Sequence, residues 1–190
     1  MSAVSPTEDR RVAADPPAEP DISVSILTVS TLTPLREAVL AVAAQAFAAP
    51  PWNEKPAEAV RLVDRMWNAI PRRDFTVAAA FDGPDLIGFT YGHTDDRLTT
   101  TWPAATGSPA AAEAFEVIEL AVAPSYQGLG VGRRLHDALT AATPAPRLLL
   151  THPDAPARHA YRRWGWTEVG EFVAATGRPT ILMKHDPSHA

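Results

Sequence analysis

The run Gln127-Gly128-Leu129-Gly130-Val131-Gly132 is where residue type and spacing first suggest chemistry. It follows an apolar stretch, Val117 to Val122, that Pro124 breaks. After it, Val131, Leu135, Ala138, Leu139 and Ala142 recur on one face of a helix. A glycine turn feeding a helix N-terminus bares backbone N–H groups, whose shared partial charge favours an anion such as a phosphate. The stretch therefore reads as a pyrophosphate cradle. Two carboxylates, Glu116 and Glu119, lie on the strand leading into it. Strand alternation sets them on opposite sheet faces unless a bulge intervenes.

Spacing narrows the pyrophosphate. A dinucleotide fold needs G-x-G-x-x-G and an acidic residue about 20 positions on. Here the glycines run G-x-G-x-G, position 133 is arginine, and Leu148-Leu149-Leu150-Thr151 occupies the later region. A P-loop needs G-K-S or G-K-T, and neither occurs. The stretch resembles instead the acetyl-CoA signature of the Gcn5-related N-acetyltransferases (GNAT). Val122-Ala123-Pro124 matches the V-x-P strand end, and Gln127-x-x-Gly130-x-Gly132 matches Q/R-x-x-G-x-G/A. Downstream, Ala157, Tyr161 and Gly165-Trp166 match the family's N-x-x-A-x-x-x-Y and following glycine-aromatic pair. Asp154 stands where the family has asparagine, and an ionised aspartate only accepts hydrogen bonds.

The resemblance covers residue 22 to the end and implies a transfer of the acetyl group from acetyl-CoA to a primary amine. Backbone groups of Leu120, Ala121 and Val122 would hold the pantetheine arm in a splay between Val117–Val122 and Arg147–Thr151. The Val122 N–H would also meet the developing oxyanion. Amides of Gln127, Gly128, Leu129, Gly130, Val131, Gly132 and Arg133 would hold the pyrophosphate, with Asp154 and Ala157 also near the cofactor. Tyr161 would protonate the departing thiolate. An ammonium acceptor must lose a proton before attack, so a carboxylate or water relay near the strand end is expected. The histone-acetylating branch puts its base at the position of Glu116. A group of actinobacterial-looking acetyltransferases, with an E-L-A-V strand and a Y-x-x-W-G-W helix, puts it at Glu119. The second group is the nearer resemblance over residues 115 to 166, which sets Glu119 ahead. Ribosomal-protein N-terminal acetyltransferases carry a glutamate where this chain has Leu149, which argues against that subclass.

The positioning elements follow from pattern. Residues 1–21 are polar and proline-rich and read as a flexible tail; residues 22–190 read as one domain. Ile22 to Thr28 alternates as a first strand, and Thr33-Pro34 reads as a helix start. A second helix starts at Pro56. Phe75–Phe81 and Leu86–Gly92 form strands across Asp82-Gly83-Pro84-Asp85. Residues 94–113 read as a long loop. Arg147–Thr151 is a buried strand, Ala155–Trp164 a short helix, and Trp166–Ala174 and Pro179–Lys184 the last strands, joined through Thr176-Gly177-Arg178. The implied fold is α/β, with a central mixed, mostly antiparallel sheet flanked by helices. Trp52, Glu54, Trp67 and Trp102 are candidates for lining the acceptor pocket, and His152 is a weaker one.

Composition bounds the rest. The 190 residues are 46% hydrophobic and lack cysteine, which excludes a disulfide framework, a thiolate zinc site and a cysteine nucleophile. A formal charge of −5 without a basic run argues against nucleic acid. No apolar run approaches the ~20 residues of a membrane span, and Met1 to Pro20 lacks a secretory apolar core. The expectation is a cytoplasmic monomer or homodimer without a metal, acting on a small-molecule or peptide amine. His185 and His189 are separated by Pro187 and make a poor metal pair, and Ser125 lacks a nucleophile elbow's glycines. A non-catalytic acyl-CoA sensor is the alternative, and an interaction module using the tail is a third reading.

Overall fold

The computed structural model describes residues 20–107, 113–174 and 177–186. Seven strands form one sheet: β1 (Ile22–Leu27), β2 (Thr76–Asp82), β3 (Asp85–Asp95), β4 (Ala114–Val122), β5 (Arg147–Thr151), β6 (Thr167–Val173) and β7 (Pro179–His185). Their spatial order is β1-β2-β3-β4-β5-β7-β6, and only β4 and β5 run parallel. The mixed, mostly antiparallel α/β architecture is the one expected.

Helices α1 (Val29–Leu32), α2 (Arg36–Ala46) and α3 (Pro56–Ala69) cover one face. Their residues Leu32, Val42, Leu62 and Met66 bury against Val77, Phe89 and Tyr91. On the other face, α5 (Val131–Ala142) lays Val131, Leu135 and Leu139 against Ala78, Ile87, Val122 and Leu149. Ala142 is exposed, whereas His136, outside the expected apolar stripe, is buried. The short α6 (Pro156–Arg163) contributes Tyr161 to the same side as α5.

Two local expectations are corrected. The first helical turn starts earlier than Thr33, at a capping box in which the Thr28 side chain accepts from the Thr31 N–H and Thr31 reciprocates. Thr33-Pro34-Leu35 is a 3₁₀ turn linking α1 to α2. The segment from residue 94 is no simple loop either. β3 runs on to Asp95, and α4 (Arg97–Thr106) follows. Its first turn is held from outside: Asp95 Oδ1 accepts from the Asp96 N–H at 2.7 Å, and Glu116 Oε1 accepts from the Leu98 N–H at 2.5 Å. Residues 1–19 of the expected tail, residues 108–112, Thr176 and His189 lie outside the described residues.

Candidate active site

The site begins where two strands separate. β4 and β5 pair only at Phe115–Arg147, Glu116–Leu148 and Val117–Leu149, although β4 continues to Val122 and β5 to Thr151. The expected splay is present. The register change falls at the same place: Val117 pairs with Gly92 and Glu119 with Tyr91, so Ile118 is an extra residue on β4. Gly92 permits the close approach, since a Cβ there would sit 2.2 Å from the Glu116 carbonyl oxygen. Beyond the bulge, Thr90 Oγ1 donates to the Glu119 carbonyl at 2.7 Å, so that carbonyl faces β3. By alternation the peptide groups of Leu120 and Val122 face the gap. Gln127 Nε2 donates to the Val122 carbonyl at 2.9 Å and ties the glycine turn to the strand end.

The bulge also moves the carboxylates. Glu116 pairs with His93 and Glu119 with Tyr91, two positions apart on β3, so both glutamates stand on one sheet face. The opposite-face expectation held only without a bulge, and one intervenes. Their surroundings differ sharply. Glu116 is wholly buried, accepting from Arg97 Nη2 at 2.7 Å and from the Leu98 N–H. Burial raises its pKa, and the Arg97 charge and the Leu98 N–H oppose that rise. Glu119 lines a cleft of about 250 Å³ with Trp52, Glu54, His152, Tyr161 and Arg178. Burial lifts its pKa from 4.5 to about 7; Arg65, with Nη2 3.7 Å away, opposes the rise and Glu54 adds to it. A carboxylate with that pKa exchanges a proton near neutrality.

Tyr161 enters the cleft from α6 and is 7% exposed. Its ring meets Trp164 edge-on at 5.6 Å and Trp166 at 5.9 Å. Behind them, Trp166 Nε1 donates to His136 Nε2 at 2.8 Å, and His136 Nδ1 lies 2.9 Å from Asp137 Oδ1. Burial, with the Glu119 charge as a second cause, raises the Tyr161 pKa and keeps the phenol protonated. A protonated phenol can give a proton and cannot readily take one.

At the far end of the gap, Gly128 and Gly130 adopt φ of +82° and +81°, which glycine alone adopts without strain. Gly130 is the N-cap of α5, and Gly128, Leu129 and Gly130 are exposed. Nothing lies within 4 Å of a Cβ built at either glycine. The turn into α5 therefore has open space beside both glycines, and a helix N-terminus leaves its first N–H groups without intrahelical partners.

The sequence model of the acetyltransferase (GNAT) family matches residues 38–166, a span holding the gap, both glutamates, the glycine turn and Tyr161. The chain belongs to the acetyltransferase (GNAT) family. Solved structures agree on the fold. A GNAT-family protein from Desulfovibrio desulfuricans superposes with a TM-score of 0.60 at 19% identity, covering 87% of this chain and 98% of its own. A protein described as histone acetyltransferase HPA2 and related acetyltransferase, from Corynebacterium glutamicum, gives 0.59 at 20% identity, covering 87% and 96%. The PaiA N-acetyltransferase of Thermoplasma acidophilum, in complex with coenzyme A, gives 0.52 at 15%, covering 86% and 99%. No curated protein matches the chain by sequence.

Within this GNAT chain, the expected residues divide. Leu120, Ala157 and Tyr161 meet Glu119 in the cleft, and Trp52, Glu54 and His152 join them. The Asp154 side chain is 83% exposed and outside the cleft lining. Arg133 pairs with Asp137 at 2.6 Å. Trp67 packs among the α2–α3 apolar residues with Arg36 over its ring at 5.0 Å, and Trp102 packs beside Leu98 and Leu148. Sequence reasoning missed Arg65 and Arg178. Arg178 Nη1 lies 3.5 Å from Glu54 Oε1 at the cleft wall, and no local motif marks either arginine.

Proposed function

We propose that the protein transfers the acetyl group of acetyl-CoA to a primary amine by direct attack. The observation that carries the reading is the parting of β4 from β5 beyond Val117 and Leu149, with Glu119 and Tyr161 lining the cleft there. The Leu120 peptide group and the Val122 N–H face the gap and can pair with the pantetheine arm, and a donor there can meet the oxyanion. The turn from Gln127 to Gly132, with Arg133 beside it, takes the pyrophosphate. The coenzyme A held by the Thermoplasma acidophilum structure supports that cofactor class for this fold.

In the proposed reaction Glu119 removes a proton from the acceptor ammonium. The amine nitrogen attacks the thioester carbonyl carbon and forms the new C–N bond, the C–S bond breaks, Tyr161 gives its proton to the thiolate sulfur, and the second proton lost by the nitrogen restores the phenol. Glu116 has both oxygens committed to α4, so Glu119 is the base. The test is thiol release from acetyl-CoA across a panel of primary amines. Amine-dependent release that Glu119→Gln abolishes supports the reading, and release independent of any amine contradicts it.

A further inference from the structure

A second cleft, of about 550 Å³, meets the first at Ile118, Glu119 and Leu150 and opens beside α3. Arg65, Arg72 and Arg97 line it, with Asp95 and Asn68. Each of the three guanidiniums stands beside a carboxylate: Arg65 by Glu119, Arg72 by Asp95 and Arg97 by Glu116. They are not equivalent. Arg97 donates to Glu116 at 2.7 Å and is committed. Arg65 lies 3.7 Å from Glu119 and Arg72 3.5 Å from Asp95, ion pairs looser than the one that holds Arg97. Their side chains are each 60% exposed, so their planar forks keep donors for an incoming anion.

Acid and base therefore alternate along the wall: Glu119 beside Arg65, Asp95 beside Arg72. A bare ammonium approaching Glu119 meets a guanidinium at the same point, and like charges oppose it. An ammonium that carries its own anion nearby meets a partner for each charge. Resting on the acetyl-transfer reading, we propose that the acceptor is an amine bearing an anionic oxygen group, a carboxylate or a phosphate, which Arg65 and Arg72 bind while the amine faces Glu119. Arg97, held by Glu116, forms the far wall. The arrangement has a consequence for the base. An anion that draws Arg65 off Glu119 removes the charge holding its pKa down, so the correct acceptor makes Glu119 more basic.

The test compares kcat/KM for matched acceptors: free amino acids against their methyl esters, and 2-aminoethyl phosphate against ethanolamine. The anionic member of at least one pair is expected to be favoured by about ten- to a hundredfold, the scale of a charge-assisted hydrogen bond. Which pair responds separates carboxylate from phosphate. In Arg72→Gln and Arg65→Gln the anionic-to-neutral ratio is expected to collapse toward one, and Arg72→Lys to restore part of it. Because the ratio is internal to each variant, lost folding or lost chemistry does not imitate the result. Equal use of both members, or a preference that survives Arg65→Gln/Arg72→Gln, overturns the inference and leaves acetyl transfer standing. Absence of acetyl-CoA binding, or of transfer to any amine, overturns the reading beneath it and the inference with it.

Discussion

Glu116 and Glu119, three positions apart on β4, stand on the same face of the sheet because Ile118 bulges between them. One is sealed under α4 and the other opens into both clefts. Two carboxylates from one strand thus meet different surroundings: the first holds a helix, and the second is the base of the proposed reaction.

The pH–rate profile separates them. In the proposed reaction Glu119, whose pKa burial lifts to about 7, acts when deprotonated, so kcat/KM is expected to rise about tenfold per pH unit below 7 and to level off above it. Glu119→Gln is expected to lower kcat by about 10²–10⁴ and to remove that limb. Steady-state kinetics across pH check both.

Arg97→Ala tests the structural role of Glu116. It removes a charged donor from a buried carboxylate and, because Arg97 is itself half exposed, is expected to cost about 1.5–3 kcal/mol in stability, the scale of a hydrogen bond to a charged group. Urea unfolding measures it. Removing the carboxylate's charge together with its partner, in Glu116→Gln/Arg97→Ala, should recover part of that loss.

Tyr161→Phe keeps the ring against Trp164 and Trp166 and removes only the hydroxyl. Turnover is expected to fall by about 10² or more while acetyl-CoA affinity stays within about twofold. Stopped assays with parallel calorimetry distinguish this from a non-catalytic sensor, which binds acetyl-CoA without turning it over.

Gly130→Ala places a methyl group in open space but at φ +81°. The strain is about 1–2 kcal/mol. Relaxing the turn to avoid it moves the first N–H groups of α5, so acetyl-CoA affinity should weaken by about tenfold. Calorimetric titration reads the change.

The buried histidines contribute stability that is lost on the acid side. His136 is buried between Trp164 and Trp166, and burial lowers its pKa below the ordinary 6.5. The unfolded chain therefore binds the proton first. The contribution is complete above about pH 6.5 and is lost as pH falls toward the folded value. His93 and His185 are shifted the same way by burial. The raised Glu119 and Glu116 carboxyls act in the opposite sense over the same window, so the prediction is a difference: between about pH 7 and pH 5 the denaturation midpoint of His136→Gln should change less unfavourably than that of the unsubstituted protein.

Much of this architecture was legible in the residues. Val122-Ala-Pro124, the glycine turn and the periodic α5 stand in sequence order, so local pattern alone marks the strand, the turn and the helix. Helix α4 was hidden because Arg97–Thr106 is rich in threonine and carries Pro103, poor helix formers whose first turn is satisfied by a distant carboxylate. The bulge was hidden too. Nothing in Val117-Ile118-Glu119 marks an extra residue, and the register follows from pairing with Gly92 across the sheet. Arg65 sits on the polar side of α3 like any solvated arginine, and only tertiary packing brings it to Glu119. Asp154, singled out by its place in a motif, has its side chain in solvent.

Titration of the purified protein with acetyl-CoA, beside free CoA and longer acyl-CoAs, tests the central claim most directly. Micromolar binding of acetyl-CoA, weakened in Gly130→Ala, is the predicted result. Absence of binding to any of these thioesters would contradict the cofactor assignment and every residue role built on the β4–β5 gap.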